Sequence, residues 1–162
     1  MIKQIRRFFS PNQGLSPGEA LYEHLIKPES LGQVLALAQL PDSFTGRFEA
    51  LALSAAVALG EAAESMPDAD AYLQALRRDL VGALVRDIDI SFREQSLGDA
   101  TVKKHATNHA SAFYGRLKAY GQPDILPALR RNLYADAPTP DQEAALPELL
   151  HRVRQVLGGG HD

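Results

Sequence analysis

Apolar residues recur at steps of three and four along three long stretches of the chain, a spacing that places them on one side of an α-helix. The predicted buried stripes are Phe44, Phe48, Leu51, Ala55, Leu59 and Ala62, then Leu73, Leu76, Leu80, Leu84, Ile88 and Phe92, and finally Val102, Ala106, Ala110, Phe113, Leu117 and Tyr120. They predict long helices over about 45–63, 66–95 and 99–120. No stretch alternates between apolar and polar residues as a half-buried strand does.

Glycine and proline divide the rest of the chain into shorter helices. We expect these over about 19–26, 31–40, 124–134 and 141–157. Pro28 and Pro41 are expected to end the first two, residues 16–18 to keep the preceding chain non-helical, and Pro147 to perturb the last helix. Gly98 suits the left-handed position after the end of a helix. The candidate caps are Asp42, Ser43 or Thr45 for the third helix and Asp99 or Thr101 for the fifth.

These elements indicate an all-α, single-domain bundle of six to seven helices. The length of 162 residues fits one domain. We divide the chain into a flexible basic N-terminal tail at 1–18, a helical domain at 19–157 and a flexible C-terminal tail at 158–162.

Composition narrows the classes of function. The chain has no Cys, which excludes disulfides, thiolate zinc sites and Cys nucleophiles and fits a reducing compartment. Its net charge is −3, and the first nine residues are basic, so the remainder is acidic and we expect no direct nucleic-acid binding. The longest nearly apolar run, at 50–60, is too short to cross a membrane. The N-terminus lacks the pattern of a signal peptide, so we expect a cytoplasmic protein.

Eight charged residues lie between Arg86 and Lys104, around a Gly-Asp break between two predicted helices. Asp89 and Arg93 are four residues apart and can pair on one helix face. The segment permits three interpretations: a docking surface for a partner, a solvated face, or an internal network in which Arg93 ties the break at Asp99.

The segment at 113–116 combines a core position with small neighbours. Phe113 belongs to the inner stripe and is expected in the core, and Arg116 is a candidate for a forked salt bridge to Asp87 or Glu94. Gly115 lies in mid-helix, where it costs about 1 kcal/mol relative to Ala. It belongs to a narrow face of small residues with Asn108, Ser111 or Ala112, and Ala119. We expect helix three or four to pack on this face; a helix of a binding partner is the alternative.

No catalytic, cofactor or metal site is predicted. His105 and His109 have the spacing of two metal ligands, but no third ligand accompanies them, so a surface pair is expected. Asp87 and Asp89 lack the further acid and the second helix motif of a metal-diphosphate site. No nucleophile–base set or phosphate loop stands out.

The first nine residues have the pattern of a miniature interfacial anchor, with apolar residues on one helical side and cations opposite. Anionic lipid is the expected surface, and an ordinary disordered terminus is the alternative. The predicted membrane-contact residues are Ile2, Lys3, Ile5, Arg6, Arg7, Phe8 and Phe9.

Three blocks of sequence, in order, resemble the ubiquinol–cytochrome c chaperone family. The blocks are Leu40 to Glu49 (LPDSFTGRFE), then Asp87, Asp89, Arg93, Glu94, Gly98-Asp99, Val102-Lys103 and Ala112 to Arg116 (AFYGR), and finally Ala128 to Tyr134 (ALRRNLY). The resemblance implies an assembly factor of respiratory complex III that handles newly made cytochrome b.

We therefore expect a non-enzymatic assembly factor that holds a membrane-protein client, with cytochrome b as the implied client. It would work at the cytoplasmic face of the bacterial inner membrane, peripheral to it and close to the ribosome. A small-ligand or metal-dependent enzyme using Asp87, Glu94 and the His pair is the alternative. The predicted partner-binding residues are Asp87, Asp89, Arg93, Glu94, Asp99, Lys103, Tyr114 and Arg116.

Overall fold

The computed structural model describes residues 14–95 and 97–159, and within them it contains seven helices and no strand. The all-α, single-domain prediction is therefore confirmed. The helices are α1 (Pro17–Leu25), α2 (Pro28–Leu37), α3 (Phe44–Ser65), α4 (Asp70–Glu94), α5 (Asp99–Tyr120), α6 (Leu126–Tyr134) and α7 (Pro140–Leu157).

Proline begins each of the two N-terminal helices. Pro17 in the first turn of α1 corrects the expectation that residues 16–18 are non-helical, whereas α1 ends before Pro28 as expected. Ser16 and Glu19 form a capping box: the Ser16 hydroxyl accepts from the Glu19 N–H, and the Glu19 carboxylate accepts from the Ser16 N–H at 2.8 Å. Pro17 and Pro28 each occupy the first position of a helix, where the missing N–H has no partner to lose. Pro147 lies inside α7 without dividing it.

The structure shows which residue caps α3 and which conformation Gly98 adopts before α5. Ser43 caps α3, since its hydroxyl accepts from the Gly46 N–H at 3.1 Å. At the break, Gly98 has a φ of −66°, so the left-handed conformation expected there is wrong. No side chain caps α5, and the Asp99 carboxylate binds Arg93 instead.

Helix α3 is the centre of the bundle and contacts each of the other six helices. Its middle is rich in alanine, and Ala50, Ala52 and Ala55 are fully buried, which lets neighbouring helices approach closely. The predicted stripes of α4 and α5 form much of the remaining core, and Phe113 is completely buried, as predicted. Phe44 departs from the stripe of α3, because 53% of it is exposed.

Helices α4 and α5 are joined by a short break and pack along each other, while α5 also packs on α3. Helix α1 also packs on α4, and Gly18 approaches the α4 backbone at Leu76 and Leu80. This arrangement leaves one side of α5 facing solvent, with a groove on each flank. Of the helices in the described ranges, none combines the length and apolarity needed to span a membrane.

Candidate functional site

Arg93 joins the two helices of the α4–α5 pair at their break. Its guanidinium donates to both oxygens of Asp89, at 2.7 and 3.3 Å, and to Asp99 across the break at 2.5 Å. The hydrogen bonds that Arg93 donates to Asp89, and then the one to Asp99, raise the pKa of Arg93 above its ordinary value. Arg93 and Asp99 are exposed and Asp89 is about one-third exposed, so this network is a surface feature and also ties the break.

An open groove of about 610 Å³ runs beside this network, between α4 and α5. Its lining residues are Val85, Asp89, Arg93, Asp99, Lys103, Ala106, Thr107 and Ala110. Four of the eight predicted partner-binding residues therefore line one groove, with charge at one end and small apolar side chains along the rest.

The other two predicted partner-binding residues on α4, Asp87 and Glu94, do not line this groove. Asp87 accepts a hydrogen bond of 2.7 Å from the Tyr22 hydroxyl, which ties α1 to α4. Burial of the phenol is the main cause of a raised pKa at Tyr22, and the hydrogen bond to Asp87 raises this pKa further. Arg86 pairs with Glu19 beside this contact, at 2.6 Å. Glu94 is exposed near the C-terminus of α4.

Arg116 pairs with Glu49 of α3, which corrects the expected bridge to Asp87 or Glu94. Its Nε and Nη2 atoms donate to the two Glu49 carboxylate oxygens at 3.0 and 2.7 Å. Glu49 is only 4% exposed. The hydrogen bond to Glu49 raises the pKa of Arg116. The pair therefore holds α5 against α3 from a largely enclosed position.

The histidine pair is built into an aromatic cluster, so the expectation of a simple surface pair is wrong. His105 stacks on Phe92 with ring centroids 4.8 Å apart. His109 meets the edges or faces of Phe44 at 5.2 Å and Phe48 at 5.6 Å. The His109 Nδ1 atom lies 2.7 Å from the His105 carbonyl oxygen. Across residues 14–95 and 97–159, no group of three or more His, Asp or Glu side chains could hold a metal ion.

A second groove, of about 310 Å³, separates α3 from α5. Its lining residues are Phe44, Thr45, Phe48, Glu49, Asn108, His109, Ala112 and Arg116. Beside it, Gly115 faces open space, because a Cβ atom built there meets nothing within 4 Å. Gly115 therefore does not serve the internal helix packing that the sequence analysis favoured. Tyr114, 42% exposed, lies on the other flank of α5.

Two residues of these surfaces escape prediction from the sequence, Glu49 and Tyr22. Glu49 carries a signal, since it is the sole charged residue between Arg47 and Glu61. A lone charge in an apolar helix face needs a partner. Tyr22 carries no such signal, because its partner Asp87 is 65 positions away.

The predicted membrane-contact residues 2–9 lie outside the described part of the chain.

The chain was compared with curated proteins, with solved structures and with models of protein families. Neither the curated proteins nor the solved structures contain a match to this chain. A family model described as "Ubiquinol-cytochrome C chaperone" matches residues 37–159. The match begins at the end of α2 and includes both grooves and the Arg93 and Glu49 networks. The chain therefore belongs to the ubiquinol–cytochrome c chaperone family.

Proposed function

We propose that this protein is a non-enzymatic chaperone that holds newly made cytochrome b during assembly of respiratory complex III. Membership of the family supports a chaperone role in that assembly and a protein client. Cytochrome b as the client, and a position at the cytoplasmic face of the inner membrane close to the ribosome, are the more specific parts of the proposal.

The observation that carries the proposal is the groove between α4 and α5, which lies within the matched residues. It combines a small apolar lining with the Asp89–Arg93–Asp99 network at the surface and with Lys103, for which the described residues provide no ion-pair partner. A membrane-protein segment offers apolar side chains for the lining and polar groups for the charged end. The exposed Glu94 and Tyr114 would extend this surface.

The alternative of an enzyme gains no support from the described geometry. Asp87 is bound by Tyr22, and the histidine pair lies on the α3 side of α5 within an aromatic cluster. Neither Asp87 nor Glu94 lines either of the two grooves described above. A metal analysis of the purified protein would test the alternative directly.

Client capture from solubilised membranes, scored for cytochrome b, tests the proposal. Arg93→Gln removes the cation that both carboxylates share, and Asp89→Ala removes one arm of the network. We expect each variant to melt close to the wild-type temperature, because exposed pairs contribute little to stability. We expect capture to fall at least ten-fold, because docking charges matter most when a partner excludes water from them.

Arg130→Gln is the matched control, since Arg130 forms a comparably exposed forked pair with Glu143 between α6 and α7. It should leave capture unchanged. If Arg93→Gln melts far below the wild type while its folded fraction still captures cytochrome b, the network is a structural brace and the groove is not the client site. Failure of the wild-type protein to capture cytochrome b would contradict the choice of client.

Membrane contact is the part of the proposal that rests on residues 2–9, whose pattern is amphipathic and basic. Deleting residues 1–9 should release the protein from vesicles of anionic lipid. Raised salt should weaken the binding of the intact chain by screening Lys3, Arg6 and Arg7. Vesicle binding that survives the deletion unchanged would remove the anchor from the proposal.

A further inference from the structure

The solvent-facing side of α5 has lysine at both ends and no charge between them. Lys104 and Lys118 point to the same side of the helix, since fourteen residues complete nearly four turns, and about 21 Å separates them along the axis. Both are exposed, and among residues 14–95 and 97–159 neither is found in an ion pair. Between them, this side carries Asn108, Ser111 and Gly115. The surface is therefore an uncharged strip with an exposed lysine at each end.

The groove between α3 and α5 borders this strip, and its own charges are already neutralised. Glu49 and Arg116 satisfy each other through two hydrogen bonds. Arg47, near the start of the groove, is paired with Asp42 at 2.5 Å. Phe44 is half exposed in the groove. An occupant of the strip and groove therefore needs apolar side chains in its middle and no charge there.

We propose that the outer side of α5, with the α3–α5 groove, docks an apolar helix that carries a carboxylate near each end of an uncharged stretch of about 21 Å. The proposal rests on the proposed function, because a newly made membrane protein supplies such segments. The two carboxylates would meet Lys104 and Lys118, and a large apolar side chain would meet Phe44. This surface lies on the flank of α5 opposite the Asp89–Arg93–Asp99 network.

Charge argues against two other occupants. A second copy of α5 would place lysine opposite lysine in both the parallel and the antiparallel arrangement. The N-terminal segment of this chain carries Lys3, Arg6 and Arg7, which have the wrong sign for the two lysines. An acidic-ended helix is the occupant that complements the strip.

The test uses the full-length protein and two labelled synthetic helices with the same uncharged Leu/Ala/Phe core. One has a glutamate cluster at each end, and the other has a lysine cluster at each end. In fluorescence anisotropy, we expect the acidic-ended helix to bind at least ten-fold more tightly. The double variant Lys104→Glu/Lys118→Glu should reverse that preference. Arg77→Glu/Arg152→Glu, which changes two exposed arginines on other helices, should keep the wild-type preference.

Steric variants test the position of the bound helix. Gly115→Leu places a large side chain on the strip and should weaken binding of the acidic-ended helix at least ten-fold. Gly60→Leu is its matched control, since Gly60 is also an exposed helical glycine with nothing within 4 Å of a built Cβ atom. It should bind as the wild type does. Circular dichroism on each variant confirms that the fold is retained.

Three results would overturn the inference: no binding of either helix, equal binding by Gly115→Leu and the wild type, or a dimer in sedimentation that Gly115→Leu dissociates. The capture assay separates this inference from the proposed function. If the lysine and Gly115 variants capture cytochrome b normally while Arg93→Gln does not, the client lies in the α4–α5 groove and only this inference fails.

Discussion

Glu49 and Arg116 form the most enclosed ion pair among the described residues, with side-chain exposures of 6% and 27%. The two partners differ in what happens when the other is removed. Without Glu49, the Arg116 guanidinium can turn toward the open groove and regain water. Without Arg116, the Glu49 carboxylate stays buried and unpaired, a condition that costs several kcal/mol.

We therefore predict that Arg116→Met destabilises the protein by about 3 kcal/mol or more, and that Glu49→Gln destabilises it less. Urea denaturation of both variants measures the difference. Arg47→Met, which breaks the exposed pair with Asp42, should match the wild type within error. Equal losses for the Arg116 and Glu49 variants would contradict the assigned burial of the carboxylate.

Phe113 and Phe44 lie in one aromatic cluster but differ in burial, 0% against 53% exposed. Phe113→Ala should cost about 3–5 kcal/mol in the free energy of unfolding, because it opens a cavity in the core. Phe44→Ala should cost much less and should weaken binding of the acidic-ended helix instead. A large loss of stability from Phe44→Ala would show that its exposed face is not available to a partner.

The sequence predicts burial well where a residue lies in the middle of a stripe, as Phe113 does. It fails at Phe44 because the stripe continues to the first turn of α3, beyond the point where neighbouring helices cover it. It also fails for the partners of Arg116, since periodicity gives the side of a helix but not which helix packs there. The pairing with Glu49 spans 67 positions and follows from tertiary packing alone.

At the scale of elements, helix α1 is attached to α4 by one close backbone approach and two polar contacts. A Cβ atom at Gly18 would lie 2.5 Å from the Leu76 carbonyl oxygen and 2.7 Å from the Asp79 Cβ atom. The Tyr22–Asp87 and Glu19–Arg86 contacts continue the attachment along α4. The helix lies before the residues that match the family.

Gly18→Ala should therefore destabilise the protein by about 1–3 kcal/mol, since the added methyl group must push α1 away from the α4 backbone. Gly32→Ala is the matched control, because Gly32 is helical and a Cβ atom there meets nothing within 4 Å. It should stabilise the protein by about 0.5–1 kcal/mol through the higher helix propensity of alanine. A neutral Gly18→Ala variant in thermal melting would mean that α1 is only loosely attached.

All seven helices are predictable from the sequence as elements, but their first turns are less so. Ser16, Pro17 and Gly18 have the composition of a turn, and the same residues begin α1 because Glu19 completes a capping box. Local composition does not separate these outcomes, since capping residues and turn residues are the same types. The starts of α2 at Pro28 and of α5 after Gly98 show the same ambiguity.

At the scale of the whole molecule, two buried tyrosines lie in separate parts of the bundle. Tyr22 connects α1 to α4 through Asp87. Tyr120 is buried at the end of α5, and the charges of Glu49 and Arg116 are close enough to affect its pKa. Burial is the first cause of a raised pKa at both residues, followed by Asp87 for Tyr22 and by Glu49 for Tyr120.

These raised pKa values predict that the protein loses stability at alkaline pH. A phenol whose pKa is higher in the folded state than in the unfolded state binds its proton more tightly when folded, so its contribution is complete below the unfolded pKa of about 10. Above that value the unfolded state releases protons that the folded state retains, and the free energy of unfolding should fall as pH rises further. Urea denaturation at a series of alkaline pH values measures this slope.

Tyr22→Phe and Tyr120→Phe should each reduce the alkaline slope, because each removes one proton that the folded state retains. The two residues lie on different helices and have different charged neighbours, so their effects on the slope should add. Ultraviolet difference spectra provide an independent readout, since the two buried phenols should ionise only as the protein unfolds. If the wild type shows all five of its tyrosines ionising near pH 10 while its helical signal is intact, the burial assigned to Tyr22 and Tyr120 is wrong.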